Sequence, residues 1–169
     1  GKLDGQSYIV QEGIPLASPN RAPTDFRLIV VKDGSGRWGC RGIVARHGKK
    51  GSFLSNVSAG GTADRGETGL RRLPGMTDGE AAGLRSRMEE LALDIARYLD
   101  ASGLHCGNMG VDMGIAPDRS IWIIEVQHNS PAHSIALDAK DTELYASTLR
   151  SNMLYMKRLS GFYGKESST

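Results

Sequence analysis

The chain has 169 residues, 39% of them hydrophobic and 24% charged, with a formal net charge of +2. That is enough sequence for one compact domain with a real core, in an ordinary soluble balance that excludes a disordered or low-complexity chain. The mild charge without a basic tract argues against nucleic acid as a partner, and no apolar run reaches the length of a membrane span.

In chain order, "SYIVQEGIPLA" opens with a short apolar strand at residues 8–10, followed by polar Gln11 and Glu12 and by Gly13. Residues 15–24 hold three prolines and read as a loop. "DFRLIVVKDGSGRWGCRGIVARHG" reads as a β-hairpin, because β-branched and apolar positions flank the turn signal "DGSG". "KKGSFLSNVSAGGTADRGETG" is rich in Gly and Ser and predicts one short strand at residues 53–57 in otherwise irregular chain. Thr77 then predicts a helix N-cap, with Glu80 completing a capping box. Leu84, Met88, Leu91, Ile95 and Leu99 recur at helical spacing and are expected in the core, with Gly103 as a left-handed stop.

"HCGNMGVDMGIAPDRSIWIIEVQ" reads as a second hairpin around "PDRS". "DTELYASTLRSNMLYMKRLSGF" predicts a last helix from Asp141 or Thr142 to about Gly161, with Leu149, Met153, Met156 and Leu159 packing inward. Trp38 and Trp122 are expected in the hairpin core. The order strand, hairpin, strand, helix, hairpin, helix predicts an α+β fold, an antiparallel sheet of hairpins covered by helices. It would occupy residues 1–163, with a polar tail at 164–169. Cys40 and Cys106 lie far apart without CxxC spacing and read as reduced thiols of a cytosolic protein, with a disulfide between them as the other reading.

"IWIIEVQHNSPAH" carries Glu125 inside an apolar run, and a buried carboxylate is costly unless a cation or several donors meet it. With "PDRS" as the loop, Ala116 opposes Ile121, Gly114 opposes Ile123 and Asp112 opposes Glu125, with Gln127 on the same face. Two facing carboxylates repel unless a divalent cation bridges them, and oxygen-only ligands suit Mg²⁺ or Mn²⁺. The other reading is a solvated edge acid in a different register. In the first hairpin, Val31 opposes Trp38 and Arg27 opposes Gly42. Asp25, Arg27, Val44 and Arg46 then share one face, and Phe26, Leu28 and Val30 the other. Two inward arginines suit an anion, most commonly phosphate, although a surface salt bridge from Asp25 to a neighbouring arginine fits as well. An acid pair for a metal and an arginine pair for phosphate together point to a nucleotide site. GxxxxGK[ST] and GxGxxG are absent, which excludes a Walker-type loop and a dinucleotide fold. His47, His105, His128 and His133 have no metal-ligand spacing and read as surface or supporting histidines.

"YIVQEGI", "DFRLIV", "RWGCRGIVAR", "GSFLSNVSAGG", "GVDMGI" and "IWIIEVQHNSP" fall in an order that resembles the C-terminal half of ATP-grasp enzymes. The YheC/YheD group, described as endospore coat-associated proteins, is similar through the last helix as well. RimK-like amino-acid ligases share fewer landmarks. The resemblance implies the C-terminal lobe of an ATP-grasp fold and an ATP- and Mg²⁺-dependent (or Mn²⁺-dependent) carboxylate–amine ligase acting through an acyl-phosphate. Its alternative is a spore-associated protein that keeps the fold without turnover. Gln11, Glu12, Gly13 and Ile14 would then meet the adenine, and Asp25 would lie near the ribose and phosphates. Arg27 would lie there too, Arg46 would face the terminal phosphate, and Asn56 would reach the nucleotide or metal. Asp112 and Glu125 would hold the metal, with Gln127 where the family usually has asparagine. The family's N-terminal lobe, with its phosphate-binding lysines, would precede this chain and complete the site. The carboxylate and amine substrates are left unspecified, and the location implied is the cytoplasm with spore association.

Overall fold

The structure is a computed structural model and describes residues 12–19, 22–51, 55, 57 and 60–162. The strand expected at residues 8–10, Gln11, Asn56 and the tail at 164–169 lie outside them. Five antiparallel strands form one sheet: β1 (Thr24–Lys32), β2 (Trp38–His47), β3 (Thr62–Arg65), β4 (Asn108–Ile115) and β5 (Ile121–Gln127), in spatial order β3-β2-β1-β4-β5. Helices α1 (Gly66–Arg71), α2 (Asp78–Ala101), α3 (Ile135–Asp138) and α4 (Thr142–Leu159) complete the α+β architecture. β1 is central and buried along its whole length because both of its faces are covered.

Alternation divides the sheet. Phe26, Leu28, Val30, Val111 and Met113 join the larger core with Leu70, Leu84 and Met88 from α1 and α2. Ile29, Val31 and Val44 face the other way, against Ala136, Ala139 and Leu144 of the α3–α4 segment. The end of that second face, around Asp25, Arg27 and Arg46, is polar yet buried.

Neither hairpin closes with the loop the sequence suggests. Asp33 N–H donates to the Arg37 carbonyl and Gly36 takes φ +82, so Lys32 rather than Val31 opposes Trp38. Ala116 likewise pairs with Ser120, Arg119 takes φ 71, and Ile121 opposes Ile115 instead of Ala116. Each is a three-residue loop ending in a left-handed residue. A bulge then follows in each ladder, between Ile29 and Val30 and between Asp112 and Met113. In the first hairpin Arg27 consequently opposes Val44, two residues beyond Gly42, which leaves Asp25, Arg27, Val44 and Arg46 on one face as expected, while Trp38 and Cys40 turn to the face of Val30. In the second hairpin the bulge cancels the shortened loop, and Asp112 opposes Glu125 as the sequence indicates.

Thr77 caps α2: its hydroxyl accepts from Glu80 N–H at 3.3 Å while Thr77 N–H donates to Glu80 Oε2 at 2.8 Å. Gly103, at φ +92, follows the helix end. The buried stripe of α2 is Ala81, Leu84, Met88, Ala92 and Ala96, whereas Leu91, Ile95 and Leu99 pack only at the core's margin. Small residues let the helix lie close to the sheet. α4 departs further from expectation. Its inward residues are Leu144, Thr148, Ser151 and Tyr155, while Leu149, Met153, Met156 and Leu159 are exposed, Met153 to 65%. Trp122 is also exposed at the sheet edge, its indole N–H donating to Ser120 Oγ. Of the strand expected at residues 53–57, Ser55 is irregular and Val57 lies in a 3₁₀ turn. The strand that pairs with β2 is the polar Thr62–Arg65.

Gly69 of α1 is where helix and sheet meet most tightly. A β-carbon there would lie 2.1 Å from Ala45 Cβ and 3.2 Å from Phe26 Cε1, whereas at Gly83 of α2 it would meet nothing within 4 Å. Gly69→Ala is expected to cost about 1–3 kcal/mol by overpacking. Gly83→Ala should instead stabilise by about 0.5–1 kcal/mol through helix propensity. Urea denaturation of both variants checks the opposite signs.

Candidate functional site

The polar end of the second sheet face is built by cross-strand neighbours. β1 sets Asp25 opposite Arg46 of β2 and Arg27 opposite Asp112 of β4, and β4 sets Asp112 opposite Glu125 and Gly110 opposite Gln127 of β5. Directly opposed residues share a face, so six of the expected site residues, Asp25, Arg27, Arg46, Asp112, Glu125 and Gln127, come together.

The first four are buried, with Asp112 only 2% exposed. Arg27 grips Asp112 with two parallel bonds, Nε to Oδ1 and Nη2 to Oδ2. Arg46 does the same to Asp25, with Nε to Oδ1 at 2.7 Å and Nη2 to Oδ2 at 2.6 Å, and its Nη2 also reaches Asp112 Oδ2 at 2.8 Å. Ser55 donates its hydroxyl to Asp25 Oδ2 at 2.7 Å. The salt bridge from Asp25 that the sequence allowed is therefore real, but it is interior rather than on the surface. Burial opposes the Arg46 charge, yet the hydrogen bond and field of Asp25, and the field of Asp112, outweigh it and hold its pKa above the ordinary guanidinium value. Two carboxylates and two guanidiniums make the cluster neutral overall. Apolar residues of similar volume would hold such a site together as well or better, so stability alone does not account for it.

Gly110, with no side chain, makes the Arg27 pose possible. A β-carbon there would lie 2.9 Å from both Cδ and Nη1 of Arg27. Gly110 and Ser55 are site residues that sequence reasoning did not single out. The first stands in the quoted "GVDMGI" motif and is the cross-strand partner of Gln127.

Beside the cluster lies a cavity of about 380 Å³, bounded by Arg27, Arg46 and Gln127 on the sheet side. Val57, Ala132, Ser134, Ile135 and Asp138 close its other walls. Glu125 is exposed and is not among the lining residues. The segment that holds Glu12, Gly13 and Ile14 continues to Leu16 and Ala17, which cross the end of β4: Ala17 N–H donates to the Ile115 carbonyl at 2.6 Å. Leu16 Cδ2 occupies the space over Gly114, on the face that carries Asp112. Glu12 and Gly13 are exposed and Ile14 half-buried. Asp25 spends both oxygens inside the cluster, as a clamp for Arg46.

A divalent metal fits this donor set as far as chemistry goes: Asp112, Glu125 and Gln127 offer oxygens only, at adjacent register positions on one face. Among the described residues no group of three or more His, Cys, Asp or Glu side chains is gathered tightly enough to hold an ion. A metal there would depend on the amide and on ligand or water oxygens, and Asp112 would have to share atoms that two arginines now hold. No helix among the described residues is long and apolar enough to cross a membrane.

Endospore coat-associated protein YheC of Bacillus subtilis (strain 168) is 25% identical to this chain over 134 residues, 79% of this chain and 36% of its own length. Endospore coat-associated protein YheD of the same organism is 27% identical over 160 residues, 90% of this chain and 33% of its own length. The chain thus spans about a third of the length of the curated relatives it matches. A family model described as YheC/D like ATP-grasp matches residues 1–159, which takes in all five strands and the four helices around the arginine–carboxylate cluster, and the chain belongs to that family.

Proposed function

We propose that this chain forms the ATP- and Mg²⁺-binding face of a carboxylate–amine ligase that works through an acyl-phosphate. The observation that supports the reading most is the buried Asp25–Arg46–Asp112–Arg27 cluster beside a cavity on an otherwise apolar sheet face. In this reading Asp112, Glu125 and Gln127 hold the metal, which when bound neutralises phosphate charge. Arg27 and Arg46 face the phosphoryl group and stabilise the charge that spreads over its oxygens during transfer. Asp25 fixes Arg46 with two bonds and Ser55 fixes Asp25, so the guanidinium needs little reorganisation when a ligand arrives. Residues 11–14 meet the adenine, and the α3 side of the cavity keeps water from an acyl-phosphate until the amine attacks. The acid and the amine are small molecules or peptide termini chosen by parts of the protein beyond this face.

A second reading has two points in its favour. Both Asp112 oxygens are engaged by guanidiniums, and Gln127 is longer than the asparagine of the resembled motif, so the face binds nucleotide or a coat partner without turnover. Release of ADP or phosphate by the full-length protein, given ATP, Mg²⁺ and a mixture of amino acids, separates the two. The ligase reading expects release that falls about 100-fold or more in Asp112→Asn, the scale of losing a preorganised electrostatic partner. ATP bound without any release leaves the non-catalytic reading standing.

A further inference from the structure

The short helix α3 has two unlike sides. Ala136 and Ala139 are buried against the sheet, while Ser134, Ile135 and Asp138 line the cavity that Arg27 and Arg46 bound. Residues three and four apart share one side of a helical turn, so "SIALDA" sets a hydroxyl and a carboxylate one turn apart on the cavity wall. Both Ser134 and Asp138 are exposed.

The fold itself uses neither group. Ser134 stands at the N-cap position, where a serine hydroxyl usually accepts a backbone N–H, yet its backbone is helical at φ -58 and ψ -16 and its side chain makes no capping bond. Asp138 forms no ion pair or side-chain hydrogen bond among the described residues. Arg27 and Arg46 already have Asp112 and Asp25 as counter-charges. Asp138 is therefore the one charged lining residue without a counter-charge among the described residues. A free carboxylate beside a free hydroxyl offers several acceptors to one donor-rich cation, which describes a primary ammonium group.

The two walls are thus polarised. The sheet side presents guanidiniums to anionic oxygens, and the α3 side presents a carboxylate to a cationic nitrogen. At about 380 Å³ the cavity lies low in the range of roughly 300–1,000 Å³ for small-ligand sites, so it takes the reacting ends of two ligands rather than both molecules whole.

We propose that Asp138, helped by Ser134, contacts the amine substrate: carboxylate and hydroxyl accept N–H bonds from its primary ammonium group and hold that nitrogen across the cavity from the phosphoryl group. This role rests on the ligase reading above and adds to it the class of amine, one that arrives as a primary ammonium. Only the nitrogen is met here, and the rest of the molecule is chosen beyond this face.

Two readouts on the full-length protein test it. The first needs no turnover: carbon-13 NMR follows the side-chain carboxyl signals, with that of Asp138 assigned by its loss in Asp138→Asn. Ethylamine, an ammonium at neutral pH, is expected to move the Asp138 signal and to bind Asp138→Asn about tenfold more weakly, the scale of a hydrogen bond to a charged group. Ser134→Ala should weaken it by less. Tetramethylammonium, which carries the charge but no N–H, should leave the Asp138 signal where it is. The second readout is phosphate release from Mg·ATP and a mixture of amino acids. Asp138→Asn should raise the half-saturating amino-acid concentration about tenfold on the same scale. Release driven by excess hydroxylamine, a nucleophile that is uncharged at neutral pH, should depend on Asp138 far less. Asp138 is exposed and bonded to no other side chain among the described residues, so the asparagine variant keeps its melting temperature and a folding defect cannot mimic the result. An Asp138 signal that ethylamine moves no further than tetramethylammonium does, or equal half-saturation in Asp138→Asn, overturns this role and leaves the ligase reading intact. No release by the wild type with either nucleophile overturns the ligase reading, and the amine contact with it.

Discussion

Arg46→Met is expected to destabilise the protein by about 3–5 kcal/mol, the usual cost of removing one partner from a buried ion pair. Asp25 is 4% exposed and takes both of its charge-assisted bonds from Arg46; among the described residues only the Ser55 hydroxyl is left to it once the guanidinium is gone. Arg27→Met should cost less, because Asp112 keeps the Arg46 Nη2 bond at 2.8 Å. Asp25→Asn in the Arg46→Met background removes the stranded charge and should recover a large part of the loss, giving a coupling well above the error of additivity. Urea denaturation of the wild type, the single variants Arg46→Met, Arg27→Met and Asp25→Asn, and the double variant measures all of this. If Arg46→Met lies within ~0.5 kcal/mol of the wild type, as surface substitutions do, the cluster is effectively solvated and the preorganisation argued for Arg46 disappears with it.

The same cluster shows what could be read from the residues in advance. Alternation of period two is robust to errors of two positions, so Asp25, Arg27, Val44 and Arg46 were bound to share a face even though Arg27 lies opposite Val44 rather than Gly42. The Asp112–Glu125 pairing was less secure. It depends on a three-residue loop and a bulge whose effects cancel, and neither leaves a plain mark in "MGIAPDRSIWIIEV". The Thr77–Glu80 capping box was legible because its signal is local. The inward face of α4 was not, because apolar spacing marks two faces of that helix. The face carrying Leu144, Thr148, Ser151 and Tyr155 won, with Leu144 fitting over Gly42 in a gap a β-carbon would fill. β3 and α1 were missed for a different reason: "TADR" has no alternation, and α1 has no side-chain cap, so tertiary packing alone selects them. Of the surface and supporting roles the sequence allowed His133, its 7% exposure leaves the supporting one, which was not legible because burial of a single histidine is a property of the turn that carries it.

Acid should destabilise the wild type through His133. Its pKa is about 4 in the folded protein against an ordinary 6.5, burial being the larger cause and the Arg27 charge the other. As pH falls the unfolded chain takes up this proton first. The contribution to stability is therefore complete above about pH 6.5, is lost progressively as pH falls toward 4, and changes no further below that. Allowing for screening by water near the cavity, the loss is on the order of 2 kcal/mol. Carboxylates titrate over the same range and would blur the wild-type curve alone, so the measurement is the difference between wild type and His133→Leu, taken by urea denaturation at pH 7 and pH 4.5. The burial of His47 also lowers its pKa, with the same sign, but it is common to both proteins and cancels. The expected result is a leucine variant whose advantage over the wild type grows in acid. Arg27→Met separates the two causes: with the guanidinium gone the His133 pKa rises, and the acid-sensitive window moves up and narrows. A wild-type-to-leucine difference that is flat with pH would mean that water already reaches the imidazole, and that burial does not hold its pKa down.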